Sequence, residues 1–467
     1  MPKFSILHVS DLHKMEGTTY ESLLQSLLTD RDSYVAAGVA SPSYIVISGD
    51  LIQGGSTDDE IRNQYAEVRH FLEALTNQFL GGDKSRVIMV PGNHDVSFPH
   101  SKRSMTKIPD EKRIEHYDLY KSGRPQVRWN WNDFSFYAIS HQDQYENRFE
   151  LFKEFYNSFY GAQRAFPDNG DIASDFISFP EDKISVALFN SCCGLDHLYD
   201  TGNISPDALT AQMPKLRSSY NDGFLNIAVW HHHYYGAPRE TNYLDREVIT
   251  MLTHGYIQVG LFGHQHISQV AEFFSSDMAI EESPENQRIL LVSSGTLFGG
   301  KKEIPEGYKR QYNIIEIETR NGSAEITIHV REDGNRNVAS KIPFWKSKGS
   351  PIPARVKLRE LDERTLFANL LRKTRQSSDY KAGYLELVQM DHEHEMYQPI
   401  RSEFIRSIKD NRFILDNVVP ETPNEYMLFI SCAIEEDETI AKEKLKNDKH
   451  LQELLQDPIL KDLYNQL

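Results

Sequence analysis

Five short clusters in the chain combine carboxylate, imidazole and amide side chains: Asp11-Leu12-His13, Gly49-Asp50, Gly92-Asn93-His94-Asp95, His231-His232-His233 and His264-Gln265-His266. Each follows an apolar run. Carboxylate and imidazole together suit zinc, manganese or iron, whereas an all-oxygen set would suit magnesium or calcium. Two divalent ions ~3.5–4 Å apart can clamp a phosphate and lower the pKa of a bound water from ~15.7 to ~7. A carboxylate between two ions can bridge them, and Asp50 is the natural candidate. Asn93 offers a neutral carbonyl oxygen that moderates the negative charge. Taken singly, each cluster has a bland explanation: a chance DxH, a turn, a satisfied core histidine. Five of them at one position relative to an apolar run point to a metal site.

The elements that must position these residues are short β-branched runs at Phe4–Val9, Tyr44–Ser48, Arg86–Val90, Ile184–Phe189, Asn226–Trp230, Ile257–Phe262 and Ile289–Ser293. Helical patterns lie between them, at Tyr20–Leu28, Asp58–Phe79, Leu209–Tyr220 and Tyr243–Thr253. Such alternation predicts an α/β domain with strands buried on both faces, and open α/β sheets place ligands beyond the carboxyl ends of their strands. Asn321-Gly322, between QYNIIEIE and AEITIHV, predicts a hairpin that closes the sheet near residue 330. Residues 331–356, rich in Gly, Pro and Lys, read as a linker, and 357–467 as a smaller, mainly helical domain. An insert spans about 97–183. Its Phe149, Phe152, Phe155, Tyr156 and Phe159 recur at helical spacing, as the packed face of an amphipathic helix or as a cap whose rings stack on a base.

The 467 residues exceed one ordinary domain. A formal net charge of −17 argues against a protein that coats nucleic acid non-specifically. The basic stretches Ser101–Lys107 and Lys121–Arg128 are short. Three cysteines, Cys192, Cys193 and Cys432, indicate neither a disulfide framework nor a thiolate zinc site. No apolar run reaches the length of a membrane span, and the expected compartment is the cytoplasm.

The ordered set DLH, GDL, GNHD, HHH and GHQH resembles the calcineurin-like metallophosphoesterase superfamily over residues 1–330, and most resembles the branch with bacterial cyclic-nucleotide phosphodiesterases. The resemblance implies a four-layer αββα sandwich with a two-metal site (Mn, Fe or Zn). Asp11, His13, Asp50 and His266 would hold one ion; Asp50, Asn93, His231 and His264 the other. His94 would face the scissile phosphate, oriented by Asp95, and a metal-bound hydroxide would be the nucleophile. The family's His block often continues with Pro, whereas here it runs HHHYYG. That departure leaves the register open between two residues: His231 is favoured because it directly follows the strand, with His232 as runner-up, and His233 lines the cleft or packs on Tyr234. Asn190 stands where many relatives carry an acidic residue. Ser293–Thr296 reads equally as site floor or as structure, and Asp391–Glu395 (DHEHE) as a solvated charged segment.

The implied activity is phosphoester hydrolysis, foremost of a phosphodiester. A small nucleotide diester fits the acidic charge. A DNA or RNA nuclease is the alternative, since repair exonucleases share these motifs. A non-catalytic scaffold stands further off, because no ligand is missing; a phosphomonoesterase is a less favoured reading that shares the same metal core. The C-terminal domain is expected to serve oligomerisation or a protein partner.

Overall fold

The computed structural model describes residues 3–13, 19–121, 126–236, 241–274, 288–299, 304–335 and 342–467. Two compact units divide it, Met1–Glu360 and Leu361–Leu467.

In the first unit, strand side chains alternate between two apolar environments, which is what a strand buried on both faces requires. Phe4 and Ile6, Tyr44 and Val46, and Ile88 and Val90 share one core with Val186, Leu188, Ile227, Val229, Leu261 and Val292. That core lies between two sheets. The intervening residues Leu7, Val9, Ile45, Ile47, Val87 and Met89 point the other way, into a core with the helices Tyr20–Ala36, Asp58–Leu80 and Glu150–Tyr160. Across the second sheet, Ala187, Phe189, Ala228, Trp230 and Leu291 pack with the helices Pro206–Asn221 and Arg246–His254. The result is the four-layer helix–sheet–sheet–helix sandwich.

The first sheet pairs Lys3–Val9 in parallel with Tyr44–Ser48, and that strand in parallel with Val87–Val90. The second pairs Ile184–Phe189, Leu225–Val229, Val259–Phe262 and Arg288–Ser293 in parallel, with Ser174–Phe179 and Gln269–Phe274 antiparallel at its edges. The ligand-bearing loops leave the carboxyl ends of these parallel strands. The predicted hairpin joins Gln311–Arg320 to Ser323–Asp333, with Gly322 at φ +81°.

Two sequence expectations change. The segment 331–356 is not a bare linker: Trp345–Ser347 and Ile352–Lys357 pair antiparallel with Ser323–Asp333 in the first sheet. Trp345 is buried, its indole N–H donates to Ser26 Oγ at 3.0 Å, and its ring meets Tyr312 edge-on at 4.9 Å. The first helix also runs on past Leu28 to Ala36, because its inward positions there carry Asp30 and Tyr34 rather than aliphatics. Asp30 is buried and accepts from Arg331 Nε at 2.8 Å, from a second Arg331 nitrogen and from the Tyr312 hydroxyl. Removing one partner of a buried pair strands the other charge, at about 3–5 kcal/mol. Asp30→Ala should therefore lower unfolding stability by that amount in a urea titration, and a shift under about 1 kcal/mol would contradict the pairing.

The aromatic helix of the insert supports the sandwich. Phe149, Phe152, Phe155, Tyr156 and Phe159 are all buried in the core beneath the first sheet, and Phe155 stacks on Tyr65 at 4.9 Å. None of these rings is open to stack on a base. Met105–Lys107, Val127–Asn130 and Ser135–Ile139 add a small antiparallel sheet.

The second unit consists of eight helices between Glu363 and Tyr464. Their core includes Phe367, Tyr397, Phe404 and Ile430, and a buried Arg401–Glu425 ion pair. In DHEHE, His392 stacks on Tyr397 and His394 on Phe367. Among the described residues, the segment contributes to no group of potential metal ligands.

Candidate metal centre

Two loops cross at the carboxyl end of the first sheet. Asp11 N–H donates to the Gly49 carbonyl at 3.1 Å, and Leu12 N–H to the Asp50 carbonyl at 2.8 Å. Asp11, Asp50, His264 and His266 all adopt positive φ (53°, 55°, 77° and 60°), four of the nine such non-glycine residues among those described. Strain of this kind persists where the surroundings over-determine it, commonly at functional sites. Gly92 is required by close approach: a Cβ there would stand 2.2 Å from Asp50 Oδ1. Gly49, at φ +93°, gives way to the His231 ring, which a Cβ would meet at 2.5 Å.

The side chains converge in two clusters that share one oxygen. In the first, Asp11 Oδ1 lies 3.2 Å from His266 Nε2 and 3.7 Å from His13 Nε2. In the second, His231 Nε2 lies 3.0 Å from Asn93 Oδ1, and His264 Nδ1 is also 3.0 Å from that oxygen. Asp50 Oδ2 joins them, 3.4 Å from His13 Nε2 and 3.2 Å from His231 Nε2. Ligands bound at ~2.0–2.2 Å in tetrahedral or octahedral directions stand about 3–3.6 Å apart. The contacts through Asn93 and Asp50 and the Asp11–His266 pair have this spacing, and Asp11–His13 is slightly wider.

Hydrogen bonding also points to a cation. His231 Nδ1 faces the Ser48 carbonyl at 2.8 Å, which can only accept, so in neutral His231 the lone pair sits on Nε2. That lone pair faces Asn93 Oδ1 and Asp50 Oδ2, which are themselves acceptors, and His264 Nδ1 lies 3.3 Å away. Among the described residues, Asp11 Oδ1 and both His13 ring nitrogens are buried without a hydrogen-bond partner. Burial opposes charge throughout, yet His266 holds the Asp11 carboxyl, and His231 with His94 the Asp50 carboxyl, well below the usual range. Burial likewise opposes protonation of His231, but Asp50 raises its pKa to about 9. The pocket thus demands positive charge, and divalent cations at its two clusters would meet that demand while leaving the imidazoles neutral. The residues present fit such ions.

The histidines of the block differ in their hydrogen bonds. Ser191 Oγ accepts from the backbone N–H groups of His231 and His232, both at 3.1 Å, and lies 2.9 Å from His232 Nδ1. His232 is buried with Nδ1 engaged, outside the groups of converging ligand atoms, whereas His231 lies within one. His233 stacks on Tyr234 at 4.9 Å.

Asp95 does not orient the His94 ring. Its carboxylate accepts from Gly92 N–H at 2.8 Å, Leu51 N–H at 3.2 Å and the Tyr65 hydroxyl at 3.0 Å, tying together the loops that carry Asp50 and Asn93. The exposed His94 ring instead places Nδ1 2.9 Å from the Gln53 carbonyl. Asn190 is structural, donating to the Gly170 carbonyl at 2.6 Å. Thr296 Oγ1 braces the site by donating to the Asp11 carbonyl at 2.7 Å. Sequence reasoning missed Ser191, Tyr65 and the carbonyls of Ser48 and Gln53. Of these only Ser191 carried a signal, as a polar residue just beyond a buried strand.

A four-layer sandwich with paired Asp/His/Asn clusters at its strand ends defines a metal-dependent phosphoesterase scaffold. The calcineurin-like phosphoesterase profile matches residues 4–268, more than half of the sequence, and the chain belongs to that family, which uses two divalent metals. It is 25% identical over 337 residues to a Bacillus subtilis (strain 168) protein described as the uncharacterized metallophosphoesterase-like protein YydB. That match covers 70% of this chain and 60% of the relative's length. Among solved structures it is similar to a dimetal phosphatase from Danio rerio (TM-score 0.40, 11% identity, covering 76% of this chain and 98% of that one). It is also similar to GAP50, the anchor in the inner membrane complex of Plasmodium (TM-score 0.35, 10% identity, covering 78% and 91%). Among the described residues, no helix is long and apolar enough to cross a membrane.

Proposed function

We propose that the chain is a dinuclear-metal phosphodiesterase. Asp11, His13, Asp50 and His266 hold one ion, and Asp50, Asn93, His231 and His264 the other. The observation that carries this reading is the single Asp50 oxygen shared by both clusters. Divalent ions there would supply Lewis-acid polarisation of a phosphoryl oxygen and an acidified water. The protein's own groups do the rest. Asp50 Oδ1 accepts from the His94 backbone N–H at 2.9 Å, which fixes the loop. The Gln53 carbonyl holds His94 Nδ1–H, so Nε2 is presented to the phosphate; in the imidazolium form the Nε2 proton steadies a phosphoryl oxygen or passes to the leaving oxygen, and the neutral ring remains.

The diester preference rests on charge. The described contacts of the Asp11 and Asp50 carboxylates and the Asn93 amide oxygen are with histidines and backbone N–H groups, with no Lys or Arg among them. A monoester carries about −1.5 to −2 at neutral pH and gains from added cationic side chains; a diester carries a single charge. Three cations of the basic stretches are engaged in ion pairs. Arg103 pairs with Asp58, Lys107 with Asp133 and buried Arg128 with Asp196, and residues 122–125 lie outside the described structure. Three free cysteines fit a reducing compartment, and we place the protein in the cytoplasm.

The test uses metal-stripped full-length protein reloaded with manganese. It should hydrolyse bis-p-nitrophenyl phosphate at least about tenfold faster than p-nitrophenyl phosphate, equivalent to about 1.4 kcal/mol, and leave end-labelled single-stranded and duplex DNA intact. Preference for the monoester would overturn the diester reading. DNA degradation that His94→Ala abolishes would make the protein a nuclease.

A further inference from the structure

The loop that meets His94 is itself held by one side chain. Gln64, half-buried on the helix Asp58–Leu80, makes two hydrogen bonds to consecutive residues: its Oε1 accepts from Gln53 N–H at 2.9 Å and its Nε2 donates to the Gly54 carbonyl at 2.6 Å. The orientation of this amide is forced, because a backbone N–H can only donate and a carbonyl can only accept. The two bonds bracket the Gln53–Gly54 peptide, whose carbonyl oxygen is the one 2.9 Å from His94 Nδ1. Gly54 adopts φ +80°, and a Cβ there would lie 3.4 Å from the His94 carbonyl, so the loop lies against the His94 backbone. Downstream it is closed by Glu60, which accepts from Ser56 N–H at 2.8 Å. The helix start is thus fixed independently of Gln64.

We propose that Gln64 is a positioning residue for His94, acting through the Gln53 carbonyl. The inference rests on the reading that His94 Nε2 faces the phosphate. Clamping the peptide keeps its carbonyl on Nδ1–H, which fixes the ring so that Nε2 is directed at the substrate and donates there when the ring carries both protons. The described hydrogen bonds of Gln64 go to Gln53 and Gly54, and none goes to Asp11, His13, Asp50, Asn93, His231, His264 or His266, so its removal separates ring orientation from metal binding.

The experiment uses the full-length chain as wild type, Gln64→Ala, Gln64→Glu, His94→Ala and the Gln64→Ala/His94→Ala double variant. Two-bond proton–nitrogen NMR on ¹⁵N-histidine-labelled, metal-free protein reports the tautomer, with His94 assigned from the His94→Ala spectrum. Wild type should show His94 protonated on Nδ1, and Gln64→Ala a mixture with protonation on Nε2. With manganese and bis-p-nitrophenyl phosphate, kcat of Gln64→Ala should fall about tenfold, with KM and manganese affinity within about twofold of wild type. The double variant should be no slower than His94→Ala, as residues acting as one unit are non-additive. Gln64→Glu keeps the acceptor for Gln53 N–H and loses the donor to Gly54, so it should fall between wild type and Gln64→Ala. This makes it the readout if Gln64→Ala fails to fold. An unchanged His94 tautomer in both Gln64 variants overturns the proposal, as does a further tenfold loss in the double variant. If His94→Ala keeps its rate, the proposed role of His94 fails, and the tautomer spectra still decide whether Gln64 sets the ring.

Discussion

Asp50→Asn should reduce kcat for a phosphodiester by about 10³-fold, the equivalent of about 4 kcal/mol, and should lower bound manganese from two ions per chain to one. The argument is geometric. One Asp50 oxygen faces His13 Nε2 at 3.4 Å and His231 Nε2 at 3.2 Å, while the other accepts from the His94 backbone. An amide preserves shape and can keep the backbone hydrogen bond, but it offers no anionic oxygen to two cations at once. The fold should persist, because Gly92 and the crossed Asp11–Gly49 and Leu12–Asp50 backbone bonds hold the loop without the charge. Retention of both metal equivalents with near-normal turnover would remove Asp50 from the centre of the site.

His94→Ala should lower kcat by about 10²-fold or more, within the range of a positioned acid–base group, with both manganese equivalents retained. Its ring is exposed, and its Nδ1 is taken by the Gln53 carbonyl. His94 also lies close to His13 and Asp50 among potential ligand atoms, with its ring 4.6 Å from that of His13. Metal content therefore discriminates between its two possible roles. Loss of one manganese equivalent in His94→Ala would make it a ligand; unchanged metal with a collapsed rate places it at the substrate.

The clusters were legible in the sequence because their signal is local: a carboxylate, imidazole or amide immediately after a buried strand, repeated five times. The alternation of inward and outward apolar residues in runs such as Phe4–Val9 made the two-sided burial legible as well. What escaped depends on contacts distant in the chain. The second half of the helix Tyr20–Ala36 looks polar because Asp30 is satisfied by Arg331, 301 residues downstream. Residues 345–357 look like a linker because edge strands are half exposed and tolerate Pro and Lys; only Trp345 marks the anchoring. What sets His231 apart from His232 is the Ser48 carbonyl and Ser191, and what the His94 ring meets is the Gln53 carbonyl. A carbonyl that every residue possesses leaves no mark in a sequence.

The most direct test of a two-ion centre is calorimetric titration of manganese into the metal-stripped full-length chain, with bis-p-nitrophenyl phosphate hydrolysis assayed at each step. The expected result is saturation at two equivalents per chain, with hydrolysis rising as the second is taken up. Full hydrolysis by stripped protein in excess chelator, or full activity at saturation with a single equivalent, would contradict it.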